Sequence, residues 1–153
     1  RSFGEAYSKA LFASGVVLPT GGTALLSVRD HDKDDCVELG NVLIEHGFEL
    51  VATNGTARHL KDAGLECRRA NKVREGRPHI VDMIKNGEVT LIVNTTEGKQ
   101  AIRESQSIRA EAVRNGVTYY TTLGAALATC IALGHLDDGD VNRLQDLHKE
   151  VAA

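Results

Sequence analysis

The sequence predicts a three-layer α/β/α domain built on a five-stranded parallel sheet. Short apolar runs alternate with helical stripes along most of the chain, the pattern of strands joined by crossover helices. The strand runs lack polar alternation, as strands buried on both faces do. Glycine stands where the helical stripes stop, at Gly47, Gly64, Gly87 and Gly116.

The elements follow in order. Phe3-Gly4-Glu5-Ala6-Tyr7-Ser8-Lys9-Ala10-Leu11 reads as a helix that stops near Gly15. Pro19-Thr20-Gly21-Gly22 is a turn or linker signature. Residues 1–15 are expected to end a preceding region, 16–22 to be a linker, and 23–153 to form the domain proper. Thr23-Ala24-Leu25-Leu26-Ser27-Val28 is the first strand. Residues 34–46 form a helix whose stripe runs through Cys36, Val37, Leu39, Val42, Leu43 and Ile44. A strand at 48–52, a short helix at 55–63 and a brief strand at 65–69 come next. The polar loop 71–77 leads to Pro78, placed in the first turn of a helix at 79–85. Val89-Thr90-Leu91-Ile92-Val93 is the most strand-like run. A helix at 99–115, a strand at 117–120, an apolar helix at 125–133 and an amphipathic helix at 140–151 complete the chain.

Size and composition bound the function. A chain of 153 residues can bury one sizeable core. Its net charge of −3 and lack of a basic run argue against nonspecific nucleic-acid binding. There is no tryptophan, and few aromatics stand ready to stack on single-stranded bases. No apolar run approaches a membrane span, and no signal peptide is visible. Cys36, Cys67 and Cys130 have neither disulfide-framework nor zinc spacing, so reduced, buried thiols in a cytoplasmic protein are expected.

In a parallel sheet, ligands bind outside the carboxyl ends of the strands. Here those ends carry Ser27, Thr53, Asn94-Thr95-Thr96 and Thr121-Thr122. Thr53-Asn54-Gly55-Thr56 stands between a strand and a helix. Free backbone N–H groups and the positive end of the helix dipole favour an anion there. Gly55 allows close approach, and the hydroxyls of Thr53 and Thr56 are candidate donors. Lys33 and Lys72 fall at the same edge and are candidate cations. A base or nucleophile is harder to find. The six histidines lack metal-ligand spacing, and no nucleophile elbow or Walker loop is present. His79 reads as a capping or packing residue rather than a general base. Asp30, Asp32, Asp34 and Asp35 complement the dipole of the first domain helix, with a divalent-metal site as the alternative.

Several segments carry a resemblance in collinear order: Ala24-Leu25-Leu26-Ser27-Val28-Arg29; Gly47-Phe48-Glu49-Leu50 through Ala52-Thr53 to Gly55-Thr56-Ala57; Asn71-Lys72-Val73, then Glu75-Gly76-Arg77-Pro78-His79-Ile80 and Asp82; Ile92-Val93-Asn94-Thr95-Thr96; and Tyr119 with Thr121-Thr122-Leu123. Together they resemble the carboxyl-terminal allosteric domain of the carbamoyl phosphate synthetase large subunit. The resemblance implies the methylglyoxal-synthase-like fold, with residues 1–15 ending an ATP-grasp region. It implies a non-catalytic domain without a cofactor that binds nucleotide effectors, UMP as inhibitor and IMP as activator. The phosphate would lie on Thr53, Gly55, Thr56 and Lys72, with Lys33 and Ser27 nearby. Asn94, Thr95 and Thr96 would line the nucleoside side, and Thr121 the ornithine-linked position. The implied parent is a ligase that uses ATP with Mg or Mn. It makes carbamoyl phosphate from bicarbonate and glutamine nitrogen for pyrimidine and arginine biosynthesis. The implied partners are the rest of the large subunit and, through it, the glutaminase small subunit. Tyr120 and Leu123-Gly124-Ala125-Ala126 depart from the pattern of some relatives.

Two rival readings remain. A phosphate lyase of the methylglyoxal synthase type needs a carboxylate base. Gly76-Arg77-Pro78-His79 places an arginine where that base would stand. A docking domain without effector would need only the α/β core and an apolar patch, for instance on the helix at 125–133.

Overall fold

The computed structural model describes residues 2–136 and 143–151. Its centre is β1 (Gly22–Ser27), flanked by β2 (Phe48–Thr53) and β4 (Leu91–Asn94), with β3 (Arg68–Ala70) and β5 (Thr118–Tyr120) outside them. The order is β3-β2-β1-β4-β5, and every pairing is parallel. The predicted five-stranded parallel sheet is therefore present.

Strand alternation sorts the apolar side chains into two cores. Ala24, Leu26, Leu50, Ala52, Leu91 and Val93 face one side of the sheet, while Leu25, Val51 and Ile92 face the other. Because both faces are covered, the inner strands β1, β2 and β4 are mostly apolar, whereas the edge strand β3 carries exposed Arg68 and Arg69. The first face packs against α2 (Lys33–Glu45), α3 (Asn54–Asp62) and α6 (Leu123–Leu133). The second packs against α4 (Ile80–Lys85) and α5 (Gly98–Arg114). Leu25, Leu26, Leu39 and Leu43 are fully buried. Each such leucine is worth about 1.5–3 kcal/mol relative to an exposed one.

This topology also locates the site. From β1 the chain moves outward to β2 and β3, then crosses to β4 and moves outward to β5. The two directions part between β1 and β4, and a crevice opens there at the carboxyl edge.

Several boundaries differ from expectation for local reasons. β3 begins at Arg68 rather than near Leu65, because Leu65 and Cys67 are buried in the first core as its lead-in. The helix expected from His79 begins at Ile80, and Pro78 lies outside it. His79 and Asp82 form a reciprocal cap: Asp82 N–H donates to His79 Nδ1 at 3.4 Å, and His79 N–H donates to the Asp82 carboxylate at 3.1 Å. β4 starts at Leu91 rather than Val89, since Thr90 turns its hydroxyl to the Gly21 carbonyl at 3.0 Å. Gly22 has φ 104°, and a Cβ there would stand 2.7 Å from Thr90 Oγ1, so the start of β1 requires glycine. Thr122 caps α6, which therefore starts at Leu123, two residues before the expected 125.

The chain opens with α1 (Phe3–Ala13), capped by Ser2, which lies against α6. A Cβ at Gly4 would come within 2.5 Å of His135 Cδ2, and the Ser8 hydroxyl donates to the His135 carbonyl at 3.3 Å. Leu18, in the stretch expected to be a linker, is buried. α7 (Leu144–Val151) covers most of the helix expected over 140–151, and residues 140–142 lie outside the described residues. Among the described residues, no helix is long and apolar enough to cross a membrane.

Candidate functional site

Three threonine side chains, from Thr53, Thr56 and Thr95, stitch the end of β1 to its neighbours. Thr53 Oγ1 donates to Ser27 Oγ at 3.3 Å. Val28 N–H donates to Thr56 Oγ1 at 3.2 Å, and Arg29 N–H donates to Thr95 Oγ1 at 3.0 Å. Asn94 Nδ2 donates to the Tyr119 hydroxyl at 2.8 Å, tying β4 to β5. Thr53, Thr56, Asn94 and Thr95 are all buried. The Thr56 hydroxyl, expected from the sequence to be a ligand donor, is thus engaged with the β1 backbone.

The turn still offers its backbone. Thr53 is the N-cap residue of α3, but its side chain makes no capping bond. The first N–H groups of α3 therefore receive no cap from Thr53, and they point where the helix dipole favours negative charge. Lys33 arrives from α2. Its Nζ stands 3.2 Å from where a Cβ on Gly55 would be, so a side chain at 55 would meet it. Lys33 is paired with Asp30 at 2.5 Å. Lys33, and secondarily Lys72, hold the Asp30 carboxyl below the usual carboxylate range.

Beside this turn is a cavity of about 560 Å³, within the range of small-molecule sites. Its floor is formed by residues 27–30 and 94–97, one wall by 72–74 with Ile80, and the other by α5 between 101 and 108. Ser27, Lys72, Asn94, Thr95 and Thr96 line it. Thr53, Gly55, Thr56 and Lys33 flank it through their contacts with Ser27, Val28 and Asp30. Thr121 is exposed beyond β5 and is absent from the lining, so it is not brought together with the others.

Sequence reasoning missed the charged wall. Arg29, Arg74, Arg103 and Glu104 also line the cavity. Arg74 Nη1 lies 3.2 Å from Glu104 Oε1, and the pair links the Lys72 loop to α5. The available signal was polar spacing on α5. Glu104 and Ile108, and likewise Arg103 and Ser107, are four apart and therefore share a helix face.

The other polar residues have local work. Asp32 meets Arg29 Nε at 2.9 Å and Asp34 meets His59 at 3.0 Å, so members of the acidic run are turned to separate partners. Among the described residues, no group of three or more His, Cys, Asp or Glu side chains is arranged to hold a metal. His79 caps α4, in agreement with the capping reading, and Arg77 lies 3.7 Å from Asp82. The three cysteines are free and buried. Burial pushes the Cys36 thiol up to about 12 and that of Cys130 to about 11.

Comparison with known proteins agrees with this architecture. The family described as MGS-like domain matches residues 35–121. The chain is 54% identical over 152 residues to the carbamoyl phosphate synthase large chain of Pseudomonas putida, covering 99% of this chain and 14% of that one. It is 52% identical over 153 residues to the same-named chain of Xanthomonas campestris pv. campestris, covering 100% and 14%. The chain thus spans 14% of the length of these curated relatives. Among solved structures, a methylglyoxal synthase from Elizabethkingia anophelis NUHP1 superposes with TM-score 0.60 at 20% identity, covering 75% of this chain and 80% of that one, a likeness of fold. The chain belongs to the MGS-like domain family, and the relatives it matches at about half identity are carbamoyl phosphate synthase large chains.

Proposed function

We infer that this chain is the carboxyl-terminal regulatory domain of a carbamoyl phosphate synthase large chain and binds a nucleoside monophosphate effector, UMP or IMP. The observation that carries the reading is one juxtaposition. An uncapped helix N-terminus and Lys33 stand at one end of a cavity whose floor and wall include Ser27, Lys72, Asn94, Thr95 and Thr96. The phosphate docks on the backbone of the turn at 53–56 and is neutralised by Lys33 and Lys72. The nucleoside extends along Asn94, Thr95 and Thr96 toward α5. Val73, Ile80 and Ile108 offer apolar surface to the base. The relatives' name supports the parent activity, ATP-dependent synthesis of carbamoyl phosphate, with the rest of the large chain and the glutaminase subunit as partners in the cytoplasm. The domain itself performs no chemistry.

Regulation then requires that the effector bind two states of the parent enzyme with different affinity. Such coupling is typically about 1–3 kcal/mol. Thr121, at the far edge of the sheet, is the place for an ornithine-linked contact completed by the rest of the enzyme. No observation favours a lyase: Arg77 faces Asp82, His79 caps α4, and neither lines the cavity.

The test is calorimetric titration of UMP and of IMP, separately, into this chain and into Lys72→Ala. Saturable binding of either nucleotide is expected, weakened about tenfold or more in the variant through loss of a charge-assisted bond. Absence of binding by both at millimolar concentration would leave the docking reading in its place.

A further inference from the structure

We propose that Asp30 is a built-in competitor for the anion this site takes: it holds Lys33 over the α3 turn until a phosphate displaces it. The inference rests on the reading of that turn as a phosphate site. A cation above a helix N-terminus is repelled by the positive end of the dipole, so Lys33 needs a negative partner to stay there. Lys33 Nζ nonetheless stands 3.2 Å from the Cβ position of Gly55. The partner is Asp30, three residues earlier, at 2.5 Å. Asp30 also lines the cavity and lies within the electrostatic reach of Lys72. One carboxylate is therefore paired with Lys33 and shares the cavity lining with Lys72.

Two anions cannot share those cations without repelling each other. The Asp30 side chain is 94% exposed, so it can turn into water without any movement of the fold. The empty site thereby keeps Lys33 in place, and the ligand must outcompete a carboxylate to enter. A dianionic phosphate meets that requirement better than a monoanionic carboxylate does.

The experiment compares this chain with Asp30→Asn, Asp35→Asn and Asp30→Asn combined with Lys33→Gln. Asp35 is exposed on α2 and lies outside the cavity lining, so its variant removes one negative charge nearby without freeing Lys33. Inorganic phosphate is titrated while the amide signals of Gly55 and Thr56 are followed by NMR, and UMP and IMP are titrated by calorimetry. Asp30→Asn should tighten phosphate binding by about two- to fivefold, the scale of an exposed ion pair. Asp35→Asn should give less than half that gain, and the Lys33→Gln background should shrink it. Equal gains in the two aspartate variants, or weaker binding in Asp30→Asn, would overturn the proposal. If phosphate follows the expected pattern while neither nucleotide binds, the nucleotide reading falls and the competitor stands. If no variant shows a phosphate response at the two amides, both fall.

Discussion

At the α3 turn the two threonines are buried: Thr53 is 3% and Thr56 2% exposed, and their hydroxyls bond within the fold. Across the cavity the polar side chains are exposed and charged, with Lys72, Arg74 and Arg103 on the loop and α5. The first half offers backbone, and its side chains fix where that backbone lies. The second half offers charge, held only by surface contacts such as the pair of Arg74 with Glu104. The difference teaches that a hydroxyl beside an anion site need not touch the anion. For Thr53 and Thr56, burial and an internal partner mark framework residues, whereas Lys72 stands exposed on the cavity wall, free to meet an anion.

The comparison predicts opposite behaviour for substitutions on its two sides. The largest effect on the fold should come from Thr56→Ala. It leaves the Val28 amide without its buried acceptor, and unfolding by denaturant should show a loss of about 1–3 kcal/mol. Lys72→Ala should leave that unfolding curve in place while weakening the nucleotide. A Thr56→Ala protein of unchanged stability but lost binding would invert the comparison. Next comes the alkaline limb of stability. Cys36 and Cys130 have folded pKa values raised by burial to about 12 and about 11, so the folded state holds protons that the unfolded thiols release from near pH 9. Their contribution is complete below that pH and should decline as pH rises through the raised values. Melting temperatures measured from pH 8 to 11 check this, and Cys36→Ala should flatten the decline. Arg74→Ala should do least, within about 0.5 kcal/mol in stability and less than about threefold in nucleotide affinity. A tenfold loss of affinity there would mark the rim pair as part of the ligand contact.

Much of this molecule was legible in the sequence because its inner strands are buried on both faces. Runs such as Leu91-Ile92-Val93, short and rich in β-branched residues, read as strands buried on both faces, and glycine closes the intervening helices. Ser27, Lys72, Asn94, Thr95 and Thr96 were legible for the same reason, since strand ends in a parallel sheet share an edge. The start of α4 was not, because proline at a first turn competes with a His-x-x-Asp cap, and only side-chain geometry decides between them. Nor was the task of Thr56. From the sequence its hydroxyl is as free to face a ligand as to face Val28, and the approach of β1 to α3 settles the matter. Arg74 and Glu104 were hidden because their pairing joins a loop to a distant helix, which no local period records.

The bonds from the Val28 and Arg29 amides to Thr56 and Thr95 lengthen the ladder of β1 by a rung on each side without lengthening β2 or β4. The Val28 and Arg29 part of the cavity floor is therefore tied into the sheet through α3 and β4, while Lys72, Val73 and Arg74 line a wall above it. Insertions or exchanges in those walls can change what enters the cavity while the turn beneath keeps its shape. A scaffold built this way fixes the anchor in the sheet and leaves the walls to decide which small molecule enters.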